Sequence, residues 1–131
     1  MGQLSLSPDG EWAAYESRES GREEIAVVPF PTPDRKWQVS TRGGTQPVWN
    51  PNGRELFYRN RDEMVAVRVD TSPTFRIGTP DILFSARYRP VYDVDRNGQR
   101  FLMLKPAETP PGVFHVVVNW TEELKRLVPT R

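Results

Sequence analysis

"PVWNPNGRELFY" occupies residues 47–58, and its reading decides the fold. Pro51-Asn52-Gly53 suits a tight turn: proline presets φ, asparagine tolerates the bridge and left-handed regions, and glycine takes positive φ freely. A short stretch, Pro47–Trp49, precedes the turn. Leu56, Phe57 and Tyr58 follow it as an unbroken apolar run, which implies a strand covered on both faces. The arrangement recurs on either side. Upstream, "SLSPDGEWAAY" at 5–15 carries Pro8-Asp9-Gly10. Downstream, "YDVDRNGQRFLM" at 92–103 puts Arg96 in place of the proline but keeps Asn97-Gly98, a strong hairpin signal. Gly10, Gly53 and Gly98 are 43 and 45 residues apart. Four residues before each stands an apolar one: Leu6, Trp49 and Val94. Three to five residues after come Ala13-Ala14-Tyr15, Leu56-Phe57-Tyr58 and Phe101-Leu102-Met103. Self-similarity at this period marks a blade-type array.

Further strands extend each copy. Third strands are expected at Ile25–Val28, Met64–Val69 and Phe114–Val118, and fourth strands at Trp37–Ser40 and Ile82–Ser85. The third copy shows no clear fourth strand. Proline-rich links lie at 29–35, 70–80 and 105–112, and the 13 prolines argue against a helical protein. One helix is predicted, over about 121–128 in "NWTEELKRLVP". There Thr121 caps, Glu122 and Glu123 suit the first turn, Lys125 and Arg126 the last, and Pro129 ends it. Leu124, Leu127 and Val128 would form its apolar face. The predicted fold class is all-β: three β-propeller blades of the four-stranded type, the last short of a strand, with a short C-terminal helix. The chain reads as a single partial propeller over 1–131, with blades at about 3–42, 45–86 and 90–120.

Composition narrows the function. A net charge of +1 gives no pull toward nucleic acid. Arginine outnumbers lysine 15 to 3, which reads as a genome-composition effect. With no cysteine, disulfides, thiolate metal sites and cysteine nucleophiles are excluded, while the compartment stays open between cytoplasmic and extracytoplasmic. No apolar run reaches the ~18 residues of a membrane span, so no membrane insertion is expected. The opening residues lack the basic region and apolar core of a signal peptide. Because the first repeat starts almost at Met1, the expectation is a piece of a longer protein.

"SPDGEWAAYESRESGREEIAVVPFP" and "PVWNPNGRELFYRNRDEMVAVRVD" resemble the WD40-like, TolB-type propeller repeat (PD40), whose core reads Ser-Pro-Asp-Gly, a polar pair, then an aliphatic-aromatic strand. The tail "FHVVVNWTEELKRLVP" resembles the end of propeller domains in bacterial multidomain proteins, some bearing a serine/threonine kinase or winged-helix domain. The resemblance covers nearly the whole chain and implies a bacterial propeller. It implies no kinase activity, because the Gly-rich loop, Val-Ala-Ile-Lys and Asp-Phe-Gly are all missing.

Few residues offer chemistry. In "DVDRNG" at 93–98, Asp93, Asp95, Asn97 and Gly98 match positions 1, 3, 5 and 6 of a calcium loop. Position 12 is Leu104, which cannot ligate, so the stretch reads first as a hairpin turn. Asp93, Asp95 and Asn97 remain the metal candidates. His115, the single histidine, lies in a predicted strand without a visible partner for general-base work. No Gly-x-Ser-x-Gly elbow accompanies it. "RGGT" at 42–45 lacks the lysine of a phosphate loop and reads as the entry to the second blade. "NWT" at 119–121 matches a glycosylation sequon and reads as coincidence. "ESRESGREE" at 16–24 reads as a solvated hairpin. Trp12 stands where the other copies have Glu55 and Arg100, which suggests an exposed or interface aromatic. No cofactor and no catalytic residue is expected.

Three blades fall short of the four to eight of a closed propeller, so two blade faces are left open. Self-association of two arcs through a two-fold axis would give six blades. The expected function is therefore a non-catalytic scaffold that binds itself and protein or peptide partners. Pro8, Asp9, Gly10, Pro51, Asn52, Gly53, Asn97 and Gly98 would shape the turns, and Trp12, Leu124 and Leu127 would offer interface side chains. The alternatives are a propeller accessory to a peptidase or kinase, and a propeller binding calcium or a small ligand.

Overall fold

The computed structural model describes residues 4–71, 74–89 and 92–104, together with the backbone of a strand at 114–118. These form three antiparallel sheets in succession along the chain. The first holds β1 (Leu4–Leu6), β2 (Trp12–Ser17), β3 (Glu24–Pro29) and β4 (Trp37–Gln38), in that spatial order. The second holds β5 (Thr45–Trp49), β6 (Glu55–Asn60), β7 (Glu63–Asp70), β8 (Arg76–Ile77) and β9 (Asp81–Ser85). The third holds β10 (Tyr92–Val94), β11 (Arg100–Leu104) and β12 (Phe114–Val118). Each sheet is a meander of neighbouring strands, as a blade requires.

The second blade departs from a simple four-strand order. Its long β7 pairs with β9 along its first half, Glu63 opposite Ser85 and Ala66 opposite Asp81. With its last residues it pairs with β8, Val69 opposite Ile77. The eight residues of β7 thus outrun β9, and β8 occupies the remaining edge. The start of β5 bulges, since Thr45 faces Arg59 while Val48 faces Phe57. Gln46 takes a left-handed φ of 56° there, and Pro47, with no N–H to donate, sits where the ladder is already interrupted.

Side chains alternate across each sheet and meet the next one. From β2 and β3, Ala14, Ile25 and Val27 join Trp49, Leu56, Tyr58, Val65 and Val67 in a core between the first and second blades. From the other face of the second blade, Phe57, Met64 and Ala66 join Phe84, Tyr92, Phe101 and Met103. The apolar run Leu56-Phe57-Tyr58 is thus divided between two cores, as a strand covered on both sides demands. The predicted helix at 121–128, with Leu124 and Leu127, lies outside the described residues, as does the 119–121 sequon.

Candidate functional site

The repeated turns lie at the β1–β2, β5–β6 and β10–β11 hairpins and share one geometry. The N–H of Gly10 donates to Ser7 O, that of Gly53 to Asn50 O and that of Gly98 to Asp95 O, at 2.8 to 3.0 Å. The three glycines have φ between 68° and 76°, a left-handed conformation that side chains resist. Ser7, Asn50 and Asp95, three residues before the glycines, each close the turn with a side chain. Ser7 Oγ donates to Asp9 Oδ1 and accepts from Trp12 N. Asn50 Oδ1 accepts from Asn52 N. Asp95 Oδ1 accepts from the N–H groups of Gln99 and Arg100, and its Oδ2 from Arg100 Nε at 2.7 Å.

The calcium-like stretch is occupied by this work. Both oxygens of Asp95 are engaged within the turn. Its pKa is held low, first by the Arg100 hydrogen bond and then by the backbone N–H groups. Asp93 Oδ1 accepts from Val94 N. No cluster of three or more potential metal ligands occurs among the described residues. His115 lies on β12 in register with Met103.

The turns also stack on one another, always against the blade before. A Cβ placed on Gly53 would lie 3.8 Å from Pro8 Cδ, and one on Gly98 would lie 2.2 Å from Asn50 Oδ1. The equivalent position on Gly10 meets nothing within 4 Å. The inner strands repeat the relation. Trp49 Nε1 donates to Ser5 O at 3.0 Å, Gln46 N donates to Glu16 Oε2, and Tyr92 OH donates to Gln46 O. Between the first two turns opens a cleft of about 560 Å³, lined among others by Asp9, Trp12, Arg54 and Arg68.

Trp12 is half-buried within the chain. Its ring centroid lies 5.6 Å from that of Trp37 and 4.6 Å from that of Phe75, and Phe75 comes from the second blade. The aromatic that interrupts the polar repeat position thus pins two blades together.

The charge run at 16–24 behaves differently from a wholly solvated hairpin. Its tip is exposed, but Glu24 is only 4% exposed. Ser40 Oγ, Gly43 N and Arg22 Nε all donate to its carboxylate. Burial alone would raise the Glu24 pKa; these donors outweigh it and hold the group below its usual value. A Cβ on Gly44 would come within 2.8 Å of Ile25 Cγ1 and 3.1 Å of Tyr58 Cδ1, so only glycine fits there. "RGGT" is therefore a latch joining the first blade to the second. Tyr58 beside it has its pKa pushed up to about 12, by burial and then by Glu24 and Glu63. Arg59 is a second buried charge that no sequence pattern announces. It is fully buried between the second and third blades, reaching the carbonyls of Asp62 and Tyr88 at 3.4 to 3.5 Å.

Five large apolar side chains are exposed among the described residues: Leu4, Leu6, Phe30, Ile82 and Leu102. Leu4 and Leu6 are 66% and 46% exposed on the first blade, and Leu102 is 42% exposed on the third. Repeat position explains them. Leu6 is equivalent to Trp49 and Val94, which pack against the preceding blade. Leu102 is equivalent to Ala14 and Phe57, which are fully buried against the following one. Among the described residues, Leu4 and Leu6 are thus exposed on the leading face of the first blade and Leu102 on the trailing face of the third.

No protein-family model matches the chain, and no curated protein matches it. Solved structures do. A TolB-type protein of Agrobacterium tumefaciens superimposes with a TM-score of 0.64 at 16% identity, over 88% of this chain and 44% of that one. The fold is a TolB-type β-propeller. TolB of Acinetobacter baumannii gives a TM-score of 0.53 at 14% identity, over 90% of this chain and 32% of its own. An oligogalacturonate lyase of Vibrio parahaemolyticus gives 0.62 at 11% identity, over 82% and 30%. The chain thus spans less than half the length of each of these propeller proteins. At such identities the likeness carries the fold and not a function. Among the described residues no helix is long and apolar enough to cross a membrane.

Proposed function

We propose that this stretch of TolB-type propeller is a non-catalytic interaction module that completes a ring by self-association. The observation that carries the reading is the exposure of Leu4, Leu6 and Leu102, whose repeat equivalents are all packed between blades. A blade is a sheet with two apolar faces and needs a neighbour on each. Two copies would supply six blades, within the range over which propellers close. The described side chains support binding rather than chemistry. Asp95, Glu24 and Glu16 are committed to turns and latches, and the cleft between the first two turns balances Asp9 and Asp70 against Arg54 and Arg68. Light scattering over a dilution series tests the reading. A mass about twice the 15.1 kDa of the chain, stable to low micromolar concentration, is expected. A monomer at every concentration would overturn it.

A further inference from the structure

We infer that the cleft between the first two turns binds a short zwitterionic peptide, with Arg54 taking its carboxylate and Asp70 its ammonium group. The site lies within one chain and goes beyond the ring, since it needs no second copy.

Three observations carry it. First, the walls are built by two blades on a fixed backbone. The cleft of about 560 Å³ is lined by Asp9 and Trp12 of the first blade and by Arg54, Arg68 and Asp70 of the second. That volume suits a ligand of a few residues, and a seam between packed units is where such sites occur. The cleft opens at the looser turn contact: a Cβ on Gly53 would clear Pro8 Cδ by 3.8 Å, whereas one on Gly98 would run into Asn50 Oδ1. Arg54 N donates to Asn52 Oδ1, and Val69 N donates to Arg54 O. The main chain under Arg54 and beside Asp70 is thus set before a ligand arrives. Second, the charges in the cleft are unspent. Glu24, Glu16 and Asp95 are each taken up by the fold. The side chains of Arg54, Arg68 and Asp70 make no hydrogen bond or ion pair among the described residues. Asp9 commits only Oδ1, to Ser7 Oγ and Glu11 N. Third, both signs are present in near balance. Glu11 follows Asp9. Glu55, bonded to Asn50 Nδ2, stands opposite Arg68 in register, and Arg76 stands opposite Asp70. A multiply charged anion would meet the carboxylates here, and a polycation would meet the guanidiniums. A ligand with one charge of each sign satisfies both sets. A guanidinium grips a carboxylate through two parallel hydrogen bonds, and an ammonium group brings three donors to carboxylate oxygens. Half-buried Trp12 offers a ring for an apolar side chain beside them.

Titration calorimetry with the dipeptide glycylphenylalanine tests the site. The chain is expected to bind it with a dissociation constant of about 1 mM or lower. The N-acetylated dipeptide lacks the ammonium group and the C-amidated one lacks the carboxylate, and each should bind about fivefold more weakly, as for the loss of one exposed ion pair. Two variants assign the charges, Arg54→Gln and Asp70→Asn. Both positions are exposed, so each variant is expected to keep the parent's far-ultraviolet circular dichroism. With Arg54→Gln, amidation should cost nothing further while acetylation still weakens binding. With Asp70→Asn the pattern should reverse. A merely structural role for either residue would weaken all three peptides alike, and that uncrossed result overturns the assignment. Three other results sink the site itself: no binding at about 10 mM dipeptide, both capped forms binding as well as the free one, or the acetylated form alone doing so, which would leave a simple anion site. None of them alters the mass seen by light scattering, so failure here and failure of the ring are read separately.

Discussion

Glu24 illustrates what a single residue decides in this molecule. Its carboxylate takes three donors from residues 22, 40 and 43, and so ties the link between blades to the blade it leaves. Removing a charged partner from a buried network leaves donors unmet, at a cost of about 1–3 kcal/mol. Glu24→Gln should therefore lower the urea midpoint by that order. The pH dependence has a definite sign. The folded-state pKa lies below the ordinary glutamate value, so this contribution is complete above about pH 4.5 and is lost as pH falls through the folded value. Glu24→Gln should flatten the acid limb of the stability curve, and an unchanged acid limb would refute the assignment. Two glycines offer a second comparison. Gly10 and Gly98 share a left-handed φ, but only Gly98 is pressed against Asn50. Gly10→Ala should cost about 1–2 kcal/mol for backbone conformation alone. Gly98→Ala should cost clearly more, and equal melting temperatures for the two variants would contradict the turn stack. Glu24 itself was not legible in the sequence. It ends a run of charges whose tip is indeed exposed, and its burial depends on Ser40 and Gly43, more than a dozen residues away.

At the scale of elements, the sequence was most readable where local chemistry and packing agree. The turn signals and unbroken apolar runs placed β1, β2, β6 and β7 close to their observed bounds, because a turn glycine and a doubly covered strand each leave a local mark. The bulge at Gln46 and the added β8 left none, since both answer to a neighbouring strand rather than to their own residues. Trp12 was legible as an anomaly without its partner being visible: Phe75 lies 63 residues on, in another blade. Here a double-mutant cycle is informative. Trp12→Ala and Phe75→Ala should each destabilise by about 2–4 kcal/mol, with a coupling of about 0.5–1.5 kcal/mol between them, as for stacked aromatic pairs. A coupling indistinguishable from zero would mean that the rings share a space without supporting one another.

For the whole molecule, the three sheets are unequal although their sequences repeat. Among the described residues, the second blade packs against a neighbour on both faces, whereas Leu4 and Leu6 of the first and Leu102 of the third are exposed. In an array held by nearest-neighbour contacts, opening free energy follows the number of covered faces. Amide hydrogen exchange should therefore be slowest in β6 and β7 and faster in β2 and β11. Uniform protection across the three blades would show that they open as one unit.

The inter-blade hydrogen bonds described between inner strands all point backwards along the chain. Trp49 reaches to Ser5, Gln46 to Glu16 and Tyr92 to Gln46. Each blade lands on a surface made some 45 residues earlier. During synthesis the ribosome releases the chain in that same order, a few residues to tens of residues per second. The second and third blades thus each emerge onto a seat already built, while Trp12 and Arg59 meet Phe75 and Tyr88 only as the next stretch of chain follows.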